Sequence, residues 1–423
     1  MDRVSDAAIR AIEADLASRA VKEFELDVSR LLFDATNFFT FIDTFNARST
    51  LAQRGKGKEG RAALRIVGVA LLVTAEFHVP LLHETYPGNR TDAPTFASLS
   101  EQLVSRCRLL TDEVEGVTLV FDKGNNSQAN LAAVEAAPFH FVGSLVPTQH
   151  PELLAIDRER LAPVAELPGV RALRSRKKVF GVERTVLVVF NENLFIAQSQ
   201  TLLREIAKRQ QRLRELVANL QSWRERPPKG SRPTVQATRK KVDGWLKAQH
   251  MRKLFEVEVA ERDGLPEVSY RFNEEAWDRL QRTTLGTTIL FTDNDGWADA
   301  EIIRAYRAQH HIENAFRNMK SLQHIALRPQ HHWTDQKIRV HVLTCVMALM
   351  LLSLLQRELH HGGVDCSITR MLHLLSGISE VIIASPPSTP GAQPLIRFAL
   401  ARLTPQQRRL FDLLGLSRHT RAA

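Results

Sequence analysis

The stretch Val117–Ser127 reads VTLVFDKGNNS. Its first residues, Val117 to Phe121, are of strand type, and they run directly into Asp122 and a turn carrying Gly124, Asn125, Asn126 and Ser127. β-branched and aromatic side chains suit a buried, pleated strand, whereas Gly, Asn and Ser end one. An aspartate at the exit of such a strand is held rigidly and faces the crevice in which α/β sheets bind ligands. A matching run lies upstream at Leu31–Thr36, LLFDAT, where Asp34 follows three apolar residues. The two runs predict an α/β fold that presents two carboxylates from its sheet.

A third carboxylate comes from Ala305–Ser321, AYRAQHHIENAFRNMKS. Residues three, four and seven apart share a helix face. Tyr306, Gln309, Glu313 and Lys320 therefore line one stripe, and Ile312, Phe316 and Met319 line another that packs. Two strand-borne aspartates and a helical glutamate suit a pair of Mg²⁺ ions, with Mn²⁺ able to substitute. Hard cations take carboxylate oxygens, and Mg²⁺ fills its remaining positions with water and substrate phosphates.

With these residues the chain resembles bacterial insertion-sequence transposases of the family numbered four, which carry an Asp-Asp-Glu triad on a ribonuclease-H-like core. The triad falls on Asp34, Asp122 and Glu313, and the family's Tyr-Arg-Glu-Lys helix motif falls on Tyr306, Gln309, Glu313 and Lys320. Gln309 stands where the family has Arg, so the charged fork that grips a phosphate is missing there. Arg54–Arg61 (RGKGKEGR), Tyr86–Asp92 (YPGNRTD) and Arg328–Trp333 (RPQHHW) are similar to family loops. The resemblance runs from about Val28 to Arg357.

It implies a DDE transposase that cleaves DNA strands and transfers them with two metal ions held by Asp34, Asp122 and Glu313. It implies phosphate contacts from Tyr306, Gln309, Arg317 and Lys320, with Arg239, Lys240 and Lys241 adding basic contacts. The implied partner is double-stranded DNA, both transposon end and target, bound by a homodimer. A simple metal-dependent nuclease and a catalytically silent DNA-binding relic stay open as alternatives.

Composition agrees with such a partner. The chain has 423 residues, a formal net charge of +10 and a hydrophobic fraction of 44%. Residues Thr201 to Lys253 hold 15 Lys and Arg against 4 Asp and Glu, so this one segment carries the positive excess. Concentrated positive charge is what binding to a phosphate backbone requires. The three cysteines, Cys107, Cys345 and Cys366, lack metal-site spacing and fit reduced thiols of a cytoplasmic protein. The N-terminus has no signal-peptide core. The apolar run Val342–Leu355 is short for a bilayer span and reads as a buried helix, so no membrane is expected.

The order of predicted elements is helix, three strands, helix (Ala93–Leu110), strand, helix, strand, which is the ribonuclease-H-like layout. The predicted organisation is an N-terminal helix over 1–27 and a first core segment over 28–146. An α+β insertion follows over 147–295, with strand character at Val179–Phe190 and a basic helical hairpin whose second helix covers about Val235–Lys253. The core resumes over 296–360 with the Glu helix, which starts near Ala298, and a helical tail with a linker near Ser385–Pro394 covers 361–423. Only 33 residues precede Asp34, too few for a helix-turn-helix domain with its linker, so a truncated or split copy is expected.

Overall fold

The computed structural model describes residues 1–423 except 2, 44, 56, 58–63, 91–103, 107, 111–115, 227–230, 329, 387–392 and 422–423. Most of the predicted helix at Ala93–Leu110, together with Asp92 and Cys107, thus lies outside the described residues. The chain forms two compact units, Met1–Gly143 with Arg304–Ala423, and Ser144–Ile303.

The first unit opens with α1 (Asp6–Glu23), started by the Ser5 side chain, which accepts from the Ala8 amide. Strand β1 (Arg30–Phe39) follows, then the short β2 (Gln53–Arg54), β3 (Arg65–Thr74), β4 (Pro80–Pro87), β5 (Thr118–Phe121), α2 (Gln128–Glu135) and β6 (His140–Leu145). β1 pairs antiparallel with β3, and β3 antiparallel with β4. On its other side β1 pairs parallel with β5, and β5 pairs parallel with β6. The order β4-β3-β1-β5-β6, three antiparallel strands followed by two parallel ones, is the ribonuclease-H-like mixed sheet expected from the element order. β3 is buried along nearly its whole length, as its uninterrupted apolar sequence requires of a strand covered on both faces.

The second unit contains a hairpin of β8 (Val170–Val179) and β9 (Val182–Asn191), edged by β7 (Ala162–Pro163). Only the β9 arm was legible in the sequence. β8 alternates Arg and Lys with smaller residues and so reads as polar, because one of its faces is exposed. The long α3 (Glu192–Glu225) and α4 (Val235–Leu246) supply the basic helices, and β10 (Phe255–Arg262) pairs with β11 (Leu265–Phe272). Leu213, Leu216 and Leu220 of α3 meet Val242 and Leu246 of α4 and Phe255 of β10 in one apolar cluster. The second basic helix ends at Leu246 rather than Lys253; a left-handed residue, His250, separates it from a single turn at Met251–Leu254. α5 (Glu274–Thr283) was not foreseen, since none of its residues is fully buried. β12 (Thr287–Thr292) pairs with β9.

The chain then passes through α6 (Asp299–Arg307) and α7 (Gln309–Lys320) to α8 (Asp335–His361), α9 (Ile368–Ser376), a hairpin of β13 (Glu380–Ser385) and β14 (Leu395–Leu400), and α10 (Pro405–Leu413). The run read from the sequence as too short for a bilayer belongs to a 27-residue helix, α8. By length and composition alone α8 is able to cross a membrane, and 56% of its most apolar window is buried within the protein. It packs against β4, α1 and α7. Leu410 and Phe411 bury α10 beside α9. The β13–β14 hairpin replaces part of a predicted linker.

Candidate active site

β1 and β5 run in parallel, and Phe33 lies opposite Phe121. The next residue on each strand is an aspartate, so the register alone sets Asp34 and Asp122 side by side. Both are half-buried. Asp34 stays within β1, where its Oδ1 accepts from the Ala35 amide at 2.7 Å. Asp122 directly follows β5, and its carbonyl accepts from the Asn125 amide at 2.9 Å at the start of a short 3₁₀ turn, Lys123–Asn125. The polar residues that follow build this turn. Asn125 is 2% exposed, its carbonyl accepts from Asn130 Nδ2 at 2.7 Å, and the Ser127 hydroxyl caps α2 through the Asn130 amide.

Glu313 lies on α7, which packs against β1 through a face that buries Ile312, Ala315, Phe316 and Met319. The Glu313 side chain is exposed, on the flank of that face that also carries Lys320. The single helix predicted from near Ala298 is two helices. Ala308 breaks it, its amide reaching the carbonyls of both Arg304 (3.0 Å) and Ala305 (3.2 Å), while the His311 amide reaches the Ala308 carbonyl at 2.8 Å. Tightening from an i−4 to an i−3 bond alters the turn angle. Tyr306 and Glu313 therefore do not share the straight stripe drawn from the spacing.

Two polar contacts bind these helices to the strands of the aspartates. The Tyr306 hydroxyl donates to Asp122 Oδ1 at 3.3 Å. Lys320 Nζ donates to the Thr36 hydroxyl and to the Asn37 carbonyl, both at 2.8 Å. Thr36 is two residues beyond Asp34, so both point to the same face of β1, and α7 covers that face. The segment after α7 is fastened to β1 as well. Arg328 Nε donates to the Lys320 carbonyl at 3.2 Å, its guanidinium stands 5.6 Å from the Phe39 ring centroid, and the Phe41 amide donates to the Gln330 carbonyl at 3.0 Å.

Of the expected phosphate contacts, Tyr306 and Lys320 hold these protein partners. Gln309 begins α7 half-exposed, and Arg317 is exposed. In the second unit Arg239 donates to the Val259 carbonyl at 2.9 Å. Lys240 and Lys241 are exposed, with Lys241 Nζ 5.4 Å from the centre of the Trp245 ring. Arg212 approaches that ring at 5.8 Å. Trp245 and Trp277 both pack on the apolar cluster of this unit.

The donor set suits hard cations. Among the described residues, no three His, Cys, Asp or Glu side chains converge closely enough to form a cage for one ion. A two-ion arrangement divides the carboxylates between the ions instead, with water and phosphate completing each shell. The residues present thus fit the group in kind: two half-buried aspartates in register and an exposed glutamate on a helix seated over Asp34.

Sequence reading missed the partners Thr36 and Asn37, and two further features of this unit. Asp335, at the start of α8, accepts from the Ser49 hydroxyl (2.7 Å), the Thr50 hydroxyl (2.5 Å) and the Thr50 and Leu51 amides (2.9 and 3.1 Å). Burial pushes its pKa up, and these hydrogen bonds outweigh burial and leave it lowered. His78 is 5% exposed, neither of its ring nitrogens holds a hydrogen-bond partner among the described residues, and it stacks toward His311 at 6.3 Å. Burial, and then the neighbouring His311 and His310, lower its pKa to about 4.

Residues 31–351 match the transposase DDE domain family, and the chain belongs to that family. Among solved structures it is similar to a piggyBac transposase synaptic complex with hairpin DNA, at 9% identity and a TM-score of 0.38, over 88% of this chain and 59% of that one. It is also similar to a Mos1 transposase paired-end complex with the left transposon end, at 13% identity and a TM-score of 0.18, over 31% of this chain and 40% of that one. This chain therefore spans less than two thirds of the length of either. No curated protein matches it.

Proposed function

We propose that this protein is a DDE transposase that cleaves the strands of an insertion sequence at its ends and joins them to target DNA. The observation that carries the proposal is the pairing of Asp34 with Asp122 on adjacent parallel strands, with the Glu313-bearing helix seated over the Asp34 face. In this reading Asp34, Asp122 and Glu313 together would hold two Mg²⁺ ions. When bound, such ions would supply Lewis-acid chemistry for an in-line displacement at phosphorus.

The chain's own residues supply position and charge. Asp34, in mid-strand, has the least freedom of the three and sets the origin of the site. The exposed Glu313 leaves one side open to a DNA backbone. In this reading Arg317 and Gln309, on the same helix, meet phosphates on that side. Lys240 and Lys241 of the basic helix add sequence-independent affinity of the kind a phosphate backbone draws from exposed cations. Water is the first nucleophile and frees a 3′-hydroxyl, which is the second and attacks either the opposite strand or the target.

The finer assignment is to the insertion-sequence family numbered four, supported by the spacing of Tyr306, Glu313 and Lys320. The proposed organisation is a catalytic core formed by 28–146 with 296–360, interrupted by an insertion over 147–295 and flanked by 1–27 and 361–423. Work on two transposon ends calls for a homodimer on DNA, and a cytoplasmic location follows from the DNA substrate. The test is Mg²⁺- or Mn²⁺-dependent nicking of a duplex bearing the element's ends by the wild-type protein and by Asp34→Ala and Glu313→Ala. Nicking lost in both variants supports the triad. Nicking at the wild-type rate in either sinks it, and DNA binding without any nicking by the wild-type protein favours a silent relic.

A further inference from the structure

We propose, on the reading of Asp34, Asp122 and Glu313 as the centre of a DNA-cleaving enzyme, that Phe41, Phe45 and Trp333 form a stacking platform for unpaired nucleobases beside that centre. Phe45 is 92% exposed, Trp333 63% and Phe41 51%. A single exposed apolar residue is ordinary. Three large rings on two segments held side by side make a patch, and exposed patches mark binding surfaces.

The two segments are pinned to each other off the end of β1. Thr40 forms a parallel bridge with Gln330, and the Phe41 amide donates to the Gln330 carbonyl at 3.0 Å. Asn46 Nδ2 donates to the Trp333 carbonyl at 3.1 Å. The turn that presents Phe45 is fixed as well. The Asp43 carboxylate accepts from the Phe45 amide at 2.7 Å, and Arg65 Nη1 donates to the Asn46 carbonyl at 3.0 Å. Rings displayed on an ordered backbone lose little freedom when a ligand arrives. The platform begins where β1 ends. Phe39 is five residues beyond Asp34 on that strand, about 17 Å at the rise of a strand, which is the reach of about five stacked nucleotides.

The neighbouring side chains favour bases over a protein partner. The exposed His331 ring stands 5.7 Å from the Phe41 ring at an interplanar angle of 32°, so the imidazole extends the platform. Arg48 is exposed, and the Arg328 guanidinium lies 5.6 Å from the Phe39 ring centroid. Imidazole and guanidinium planes stack on bases as aromatic rings do, and cations follow the phosphates of the same strand. The core of a protein–protein contact is instead depleted of charge. Bases inside a duplex have no free face, so the occupant is a strand whose bases are unpaired.

Three probes are bound to the full chain without divalent ions: a blunt duplex, the same duplex with a single-stranded thymidine tail, and the same duplex with an abasic tail of equal length. The abasic tail keeps the phosphates and lacks the bases, so the difference between the tails reads stacking alone. The wild-type protein is expected to prefer the thymidine tail over the abasic tail by about 5- to 100-fold, with one salt slope for both. Phe45→Ala and Trp333→Ala each remove much of that preference and leave affinity for the blunt duplex unchanged, while Trp333→Phe, which keeps a ring, retains most of it. Equal affinity of the wild-type protein for the two tails, or a preference that survives both alanine variants, overturns the proposal. So does a preference left intact while the same variants turn a dimer into a monomer in sedimentation, which makes the patch a contact between copies. Wild-type protein that binds none of the three probes overturns the DNA-cleaving reading itself, a result distinct from duplex binding without a preference for bases.

Discussion

The Tyr306 hydroxyl donates to Asp122 Oδ1 at 3.3 Å across 184 residues of chain. The whole second unit lies within that interval. The contact joins the helix preceding Glu313 to the strand end of the second aspartate. Its partner in this role is the Lys320 ammonium, which joins the end of the Glu313 helix to β1.

Asp34→Asn, Asp122→Asn and Glu313→Gln each keep side-chain size and remove one charge. Each is expected to lower metal-dependent nicking by at least about 100-fold, since a displaced ion misplaces the reacting groups. Binding of a duplex in the absence of divalent ions stays at the wild-type level. Paired nicking and filter-binding assays check both outcomes.

Lys240→Ala and Lys241→Ala remove exposed cations of the basic helix. Each is expected to reduce the salt slope of duplex affinity by about one phosphate contact and to weaken binding evenly across sequences. Mn²⁺ affinity is unaffected. Arg239→Ala differs, because its guanidinium ties α4 to the Val259 carbonyl; it is expected to cost stability, visible in urea unfolding, beyond any loss of DNA affinity.

Asp335→Ala strips the acceptor from the Ser49 and Thr50 hydroxyls and from two backbone amides. The expected cost is about 1–3 kcal/mol, the range for donors left without a charged acceptor, read as a lower urea midpoint at pH 7. The lowered pKa of Asp335 fixes the sign of its pH dependence. Its contribution is complete above the ordinary carboxylate value of 3.8 and is lost as pH falls through the lowered value.

His78 titrates in the native state at about 4 instead of 6.5 because burial disfavours its charged form. The unfolded chain takes up this proton first, so stability is intact above pH 6.5 and declines as pH falls toward 4. The decline amounts to something on the order of 3 kcal/mol. His78 also sits at φ 48°, a left-handed conformation that asparagine tolerates. His78→Asn is therefore expected to flatten the stability profile between these pH values, as measured by thermal unfolding at stepped pH.

The alternation and turn chemistry around Leu31–Thr36 and Val117–Ser127 made β1, β5 and their aspartates legible, because strand propensity and turn residues act over a few positions. β3 and β4 were legible for the same reason, and so was the apolar face of α7, written at helical spacing. β8 was not, since a strand with one solvated face and many Arg and Lys residues resembles a charged loop. α5 escaped because it has no fully buried stripe. The break at Ala308 escaped because Arg307, Ala308 and Gln309 carry no Pro or Gly to announce it.

The sequence by itself determined the kind of chemistry and the strands that bear it, since three carboxylates in their local contexts are properties of short segments. Tertiary structure decided what stands beside them. The parallel register of Phe33 with Phe121 makes neighbours of Asp34 and Asp122, and the fold brings Tyr306 to one aspartate's strand and Lys320 to the other's. Contacts between residues hundreds of positions apart leave no local pattern. They exist only once burial of the strands and of the α7 stripe has fixed where each backbone lies, and the polar side chains then take the partners that this packing leaves within reach.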